Sequence, residues 1–172
     1  MIIKVREKLE LRTLVPRDAV EVFEVIDRNR EYLRKWLPWV DNTKTRLKTR
    51  QVIISFEKEL QDKSDFVFGI FLGGNYVGNI GLHDANSKNN SAMIGYWLDE
   101  EHQGKGIVTD CVKALTDFGF NELDLNRIYI YCASGNTKSR AIPERLGFVQ
   151  EGILQDDEFL YGVYTIKWFT AW

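Results

Sequence analysis

The chain has few of the residues from which many kinds of site are built. Its 172 residues include two cysteines, two histidines and three prolines. Cys111 and Cys132 are too few and too far apart for a disulfide scaffold or a zinc site. Cys111 also falls on an apolar helical stripe, which reads as inert core. Neither His83 nor His102 has metal-ligand company, so no metal is expected. The formal net charge is −2, so no broad basic field steers the chain to nucleic acid or to an anionic membrane. No apolar run approaches the ~20 residues of a membrane span. Met1-Ile2-Ile3-Lys4-Val5-Arg6-Glu7 lacks the core and cleavage site of a signal peptide. The expected compartment is the cytoplasm. With no repeat, low-complexity segment or linker, residues 1–172 read as one domain, long enough to bury roughly 70% of the unfolded surface.

What is present centres on Tyr96-Trp97-Leu98-Asp99-Glu100-Glu101-His102-Gln103-Gly104-Lys105-Gly106-Ile107-Val108-Thr109. A strand-like apolar run ends at acids, and a Gln-Gly-Lys-Gly turn follows. A helical stripe of Val108, Cys111, Val112, Leu115 and Phe118 then begins. A helix start offers unpaired backbone N–H groups and a positive dipole end, which suit a phosphate or pyrophosphate. Glycines at positions 104 and 106 let such an anion come close to the backbone. The turn is not a P-loop, which needs a longer spacer and a Gly-Lys-Ser/Thr ending. It is not the dinucleotide Gly-x-Gly-x-x-Gly either, because Thr109 stands at the third glycine.

The rest of the chain alternates between strand and helix signals. A strand is expected over Leu9–Leu14, a helix from Pro16 to about Arg30, and an aromatic elbow over Glu31–Val40, where Pro38 interrupts any helix. A second helix spans Thr43–Asp62, with Leu47, Ile53, Ile54, Phe56 and Leu60 apolar. Strands Phe66–Leu72 and Tyr76–His83 flank a Gly73-Gly74-Asn75 hairpin. A polar loop covers Asp84–Asn90 and a strand Ser91–Leu98. Then come a helix Gly106–Glu122, a strand Arg127–Cys132, a short helix Thr137–Leu146, and strands Phe148–Leu154 and Tyr161–Phe169. This order predicts an α/β fold, a mixed sheet of about seven strands with helices on both faces.

Two motifs carry a resemblance. Gln103-x-x-Gly106-x-Val108 resembles the Gln/Arg-x-x-Gly-x-Gly/Ala signature of the Gcn5-related N-acetyltransferases, with Val108 in place of the last small residue. Asn136-Thr137-Lys138-Ser139 followed by Glu144-Arg145-Leu146-Gly147-Phe148 resembles that superfamily's second phosphate-side segment. With the Trp36–Trp39 elbow and Ile94-Gly95-Tyr96-Trp97-Leu98, the chain is similar to the ribosomal-protein N-terminal acetyltransferase branch, RimJ/RimL-like, from about Leu9 onward.

The resemblance implies a twisted, mostly antiparallel sheet with a V-shaped opening between the fourth and fifth expected strands. There acetyl-CoA is the cosubstrate. Its pyrophosphate would meet Gly104, Lys105, Gly106, Ile107 and Val108 in the turn opened by Gln103. Its pantetheine would pair along Tyr96, Trp97 and Leu98 and bond Asn136, with Lys138 or Arg140 reaching the 3′-phosphate. The tyrosine acid common in the superfamily is replaced by Pro143. The branch offers Ser139 as acid and Glu158, in a loop before the last strand, as base. Many relatives place a glutamate where Met93 stands.

The acceptor is expected to be a primary amine. An α-amine has a pKa near 8 and lysine one near 10.4, so lysine is harder to neutralise by roughly 3 kcal/mol. One carboxylate suffices for an α-amine, which favours a protein N-terminus, such as that of a ribosomal protein. Trp36, Trp39 and His83 are candidate acceptor contacts, although the two tryptophans also read as core. The acids Asp156, Asp157 and Glu158 would equally suit a polyamine or an aminoglycoside. Pro143 and Val108 leave open a non-catalytic acyl-CoA-binding module, and a protein binding no CoA is the remaining reading. The aromatic tail Val163–Trp172 reads as core or as a homodimer face.

Overall fold

The computed structural model describes residues 1–85 and 88–172. Eight strands form one sheet in the order β1-β2-β3-β4-β5-β6-β8-β7. They are β1 (Ile2–Arg6), β2 (Leu9–Arg12), β3 (Phe66–Leu72), β4 (Asn75–His83), β5 (Ser91–Leu98), β6 (Arg127–Ala133), β7 (Val149–Leu160) and β8 (Val163–Ala171). Every neighbouring pair is antiparallel except β5 with β6, which is parallel. The helices are α1 (Ala19–Arg28), α2 (Arg30–Leu33), α3 (Arg46–Gln61), α4 (Ile107–Glu122) and α5 (Thr137–Leu146).

The hairpin between β3 and β4 follows from its glycines. Gly73 and Gly74 have φ of 59° and 86°, which glycine adopts without steric cost in a tight primed turn. Thr45 caps α3 by accepting from the Lys48 amide at 3.1 Å, satisfying a free N–H of the first turn. The expected helix to Arg30 is instead broken at Asn29, which ends α1 and opens α2. Pro38 then starts a 3-10 turn over Pro38–Asn42, at the helix entry position that proline suits.

Apolar side chains fill both faces of the sheet. On one face, Cys111, Val112 and Leu115 of α4 pack with Ile80, Leu82, Ile94, Ile128 and Ile130. On the other, Val22, Val25 and Ile26 of α1 and Ile53 of α3 pack with Phe71 and Tyr76. Val108 belongs to the first cluster and is buried.

Several expectations are corrected. β1 was not anticipated, because Ile3 and Val5 alternate with Lys4 and Arg6 over only five residues. Leu47 and Ile54 are exposed, and Thr49 of α3 is buried. The acids 156–158 do not form a loop. They lie inside β7, where Gln155, Asp156 and Asp157 bulge opposite the single residue Ile166, between the pairs Leu154 with Lys167 and Glu158 with Thr165. A bulge adds residues to one strand without ending it. The polar loop expected over Asp84–Asn90 includes Asn86 and Ser87, which lie outside the described residues. In the tail, Val163, Tyr164 and Trp172 are exposed, whereas Thr170 and Ala171 are buried.

Candidate active site

The site begins where two parallel strands part. β5 and β6 are in register at Ser91 with Arg127, Ala92 with Ile128 and Met93 with Tyr129. Both strands then continue, to Leu98 and Ala133, without further pairs between them. Beyond Met93, β5 pairs only on its β4 side, for example Tyr96 with Ile80. Its other edge turns unpaired backbone groups into the fork. Such an edge accepts an extended guest by strand-like pairing.

One face of the fork carries the glycine turn and α5. Gly104 and Gly106 have φ of 72° and 73°, and a Cβ on either would meet nothing within 4 Å. Gly106 is the N-cap of α4, so the first amides of a sixteen-residue helix, which have no intrahelical partners, follow this open glycine turn, the arrangement that suits a phosphate. Lys138 Nζ donates to Gln103 Oε1 at 3.0 Å, bridging α5 to this turn. Arg145 donates to Thr109 Oγ1 at 3.0 Å and ties α5 to α4. Arg140 is committed elsewhere: its guanidinium lies 3.4 Å from the centre of the Trp168 ring and bonds the Ser134 carbonyl.

Across the fork, Tyr96 of β5 meets Ser139 of α5. The Tyr96 hydroxyl donates to the Ser139 carbonyl at 2.9 Å, and Ser139 Oγ donates back to it at 3.1 Å. Cys132 Sγ lies 3.4 Å from Ser139 Oγ. Burial, reinforced by the neighbouring Cys132 sulfur, pushes the Tyr96 hydroxyl well above the usual phenol range. Burial likewise raises the Cys132 thiol, despite bonds to Ser139 and Tyr96. All three groups therefore hold their protons at neutral pH. Ser139 does not cap its helix. Asn136 does, accepting from the Ser139 amide at 3.2 Å.

The turn is anchored from beneath by Asp99, a buried carboxylate. It accepts from Arg28 at 2.5 Å, Asn29 at 2.9 Å and His102 at 3.1 Å. Burial raises its pKa, but the bonds from Arg28 and Asn29 outweigh this and hold it below the usual carboxylate range. Asn29 also accepts from the Glu100 amide at 2.9 Å. A corner between two helices is thus pinned to the turn, and Arg30 extends the link by donating to the carbonyls of Val40, in the elbow, and of Thr43, just after the Pro38–Asn42 turn. Sequence reasoning passed over Asp99; the only local signal was an acid closing an apolar strand.

The opposite face of the sheet has another character. Paired residues share a face and alternate residues return to it. Asn79, Gly81 and His83 of β4 therefore lie beside Trp97, Gly95 and Met93 of β5, with Tyr129 beyond Met93 and Phe169 beside Tyr131. Trp39 packs against Trp97 at a centroid distance of 6.2 Å. A Cβ on Gly135 would touch the Trp36 ring at 3.4 Å. Trp39 is 38% exposed and Trp36 half-buried, so neither plugs the core. Glu158 pairs with Thr165, on the face of Lys167 and Phe169, and its carboxylate lies 3.5 Å from Lys167 Nζ. The same ammonium is 3.2 Å from Asp157. Among the described residues no cluster of three or more His, Cys, Asp or Glu could hold a metal ion.

The fork between β5 and β6, with the glycine turn at the start of α4 beside it, has the layout of an acyltransferase. The chain belongs to the acetyltransferase (GNAT) domain family, whose model matches residues 8–149. It is 38% identical over 162 residues, 94% of this chain and 88% of the relative, to YdaF of Bacillus subtilis, provisionally named a ribosomal N-acetyltransferase. It is 32% identical, over 94% of this chain and 90% of the relative, to the Escherichia coli ribosomal-protein-serine acetyltransferase. A spermidine acetyltransferase of the same organism is 31% identical over 63% of this chain and 59% of its own. Among solved structures, a RimL alpha-N-protein acetyltransferase in complex with coenzyme A superposes with a TM-score of 0.96 at 28% identity, covering 99% of this chain and 97% of that one.

Proposed function

We propose that the chain transfers the acetyl group of acetyl-CoA to the N-terminal α-amine of a ribosomal protein. The observation that supports this best is the fork, which leaves the edge of β5 beyond Met93 unpaired between the glycine turn and the Trp39–Trp97 pair. The named relatives that this chain matches over most of its length support the acceptor class, and the solved complex supports the cosubstrate. A ribosomal acceptor would place the reaction in the cytoplasm, and residues 1–172 would act as one catalytic domain.

In this reading the amides of Gly104, Lys105, Gly106, Ile107 and Val108 hold the pyrophosphate. The free edge of Tyr96, Trp97 and Leu98 pairs with pantetheine, which Asn136 also bonds. Lys138, released from Gln103, reaches the 3′-phosphate. The acceptor enters along Trp36, Trp39 and His83. Its nitrogen attacks the thioester carbonyl, the C–S bond breaks, and the sulfur takes a proton supplied through Ser139. Glu158 takes a proton from the nitrogen as the amide forms. General acid–base groups of this kind contribute about 10²–10⁴-fold.

The acidic bulge is a weaker polycation site than its composition suggests, because Lys167 already sits against Asp157 and Glu158. Incubation of the protein with acetyl-CoA and either ribosomal N-terminal peptides or spermidine separates the two acceptors. Turnover of the peptides is expected; turnover of spermidine alone would overturn the peptide assignment.

A further inference from the structure

His83 is one of two histidines in the chain, and it stands at the apex of the fork. Its Nδ1 lies 2.7 Å from Asp65 Oδ2. The other carboxylate oxygen of Asp65 accepts from the Asp84 amide at 3.1 Å, so the acid is held from two sides. A carboxylate only accepts, so Nδ1 carries the hydrogen, and in the neutral ring Nε2 offers a lone pair.

The ring edge that carries Nε2 lies against two glycines, with the Val67 side chain beside them. A Cβ on Gly81 would lie 3.2 Å from Nε2, and one on Gly95 3.4 Å. Gly95 is the next residue on that face after Met93, whose pairing with Tyr129 is the last before the strands part. The imidazole therefore stands over the first open step of the fork. It is on the face of Trp97 and Trp39, opposite Tyr96 and Ser139. Its side chain is 32% exposed, and that of Asp65 is 22% exposed, so a proton taken up there has a path to water.

An amine arriving as an ammonium must lose two protons to become an amide, and only one of them is returned to sulfur. A single base therefore leaves one proton unassigned. We propose that His83 takes the first proton, from the acceptor ammonium, and that Asp65 positions it to do so. This rests on the acetyl-transfer reading above. The N–H bond breaks with its electron pair left on nitrogen, and the proton goes to Nε2. The freed pair forms the C–N bond to the thioester carbonyl, and the C–S bond breaks with its pair on sulfur. The second proton leaves nitrogen through Glu158 and replenishes Ser139 as Ser139 protonates the thiolate. The proton on His83 passes to solvent, which matches the one proton released per turnover. Asp65 is a positioning residue, since it touches the ring and not the amine.

The test uses the full-length protein with acetyl-CoA and a peptide bearing a free α-amine. His83→Ala should lower kcat at least 100-fold, leave KM for acetyl-CoA within twofold, and recover part of its rate with added imidazole. A kcat within threefold of the parent, or a loss that imidazole does not restore, would overturn the proposal. Nitrogen-15 spectra of the unmodified protein give a second, turnover-free reading, assignable because only His102 shares the spectrum. They should show His83 protonated on Nδ1, and Asp65→Asn should shift it toward Nε2. A ring protonated on Nε2 in the unmodified protein would overturn the proposal even if His83→Ala failed to fold. If no amine is acetylated by the unmodified protein, the transfer reading falls by itself, and the spectrum still decides whether His83 is poised to accept a proton.

Discussion

Tyr96 and Ser139 exchange two hydrogen bonds across the fork, the tyrosine hydroxyl giving one to the serine carbonyl and receiving one from the serine Oγ. They are 43 residues apart and sit on a strand and a helix that share no sheet ladder. Their contact bridges the fork and directs the serine proton at the tyrosine oxygen. Tyr96→Phe should therefore lower kcat about as much as Ser139→Ala, and the double variant should lose little more than either, because the two act as one unit. Single-turnover kinetics of the three variants measure this. The Phe variant should also be less stable by about 1 kcal/mol, since it leaves a part-buried carbonyl without its partner.

Gly106 is the second point of leverage. A side chain there enters open space, so the cost is conformational, about 1–2 kcal/mol for a left-handed residue. Gly106→Val should lower the melting temperature by several degrees. It should also weaken acetyl-CoA by about tenfold or more, because the Cβ occupies the phosphate's approach. Calorimetric titration separates the two effects.

In the proposed reading Lys138, which bonds Gln103 in this structure, reaches the 3′-phosphate. Lys138→Ala should weaken coenzyme A several-fold and leave dephospho-coenzyme A, which lacks that group, unchanged. Parallel titrations with the two ligands give the comparison.

Asp99 should show its role in the pH dependence of stability. Its pKa in the folded chain is below the unfolded value, so its contribution is complete above about pH 4 and fades as pH falls through the folded value. Asp99→Asn should be less stable by about 3 kcal/mol at pH 7, and its loss of stability below pH 4 should be shallower than the parent's. Denaturant titrations at pH 7, 4 and 3 check both statements.

What the sequence disclosed was what neighbouring residues decide among themselves. The turns at Gly73-Gly74 and Gly104–Gly106 were readable because a positive φ singles out glycine locally. The caps at Thr45 and Asn136 act over only three residues, yet the sequence reading did not single them out. The bulge at 155–157 was not readable, because a bulge belongs to the register of two strands. The pairing of Asn29 with Asp99 spans 70 residues, and that of Asp65 with His83 spans 18. No periodicity marks either one. His83 was anticipated as an acceptor contact, but its orientation over Gly81 and Gly95 depends on how β4 and β5 align. Arg140 had looked equal to Lys138 as a phosphate ligand until Trp168, 28 positions further along the chain and adjacent in space, claimed its guanidinium.

The most direct measurement is mass spectrometry of a peptide that carries both a free N-terminal α-amine and an internal lysine, after incubation with the protein and acetyl-CoA. One acetyl group on the α-amine, with the lysine untouched, is the predicted result. Acetylation of the lysine alone, or of neither amine, would contradict a site built to neutralise and acetylate a protein N-terminus.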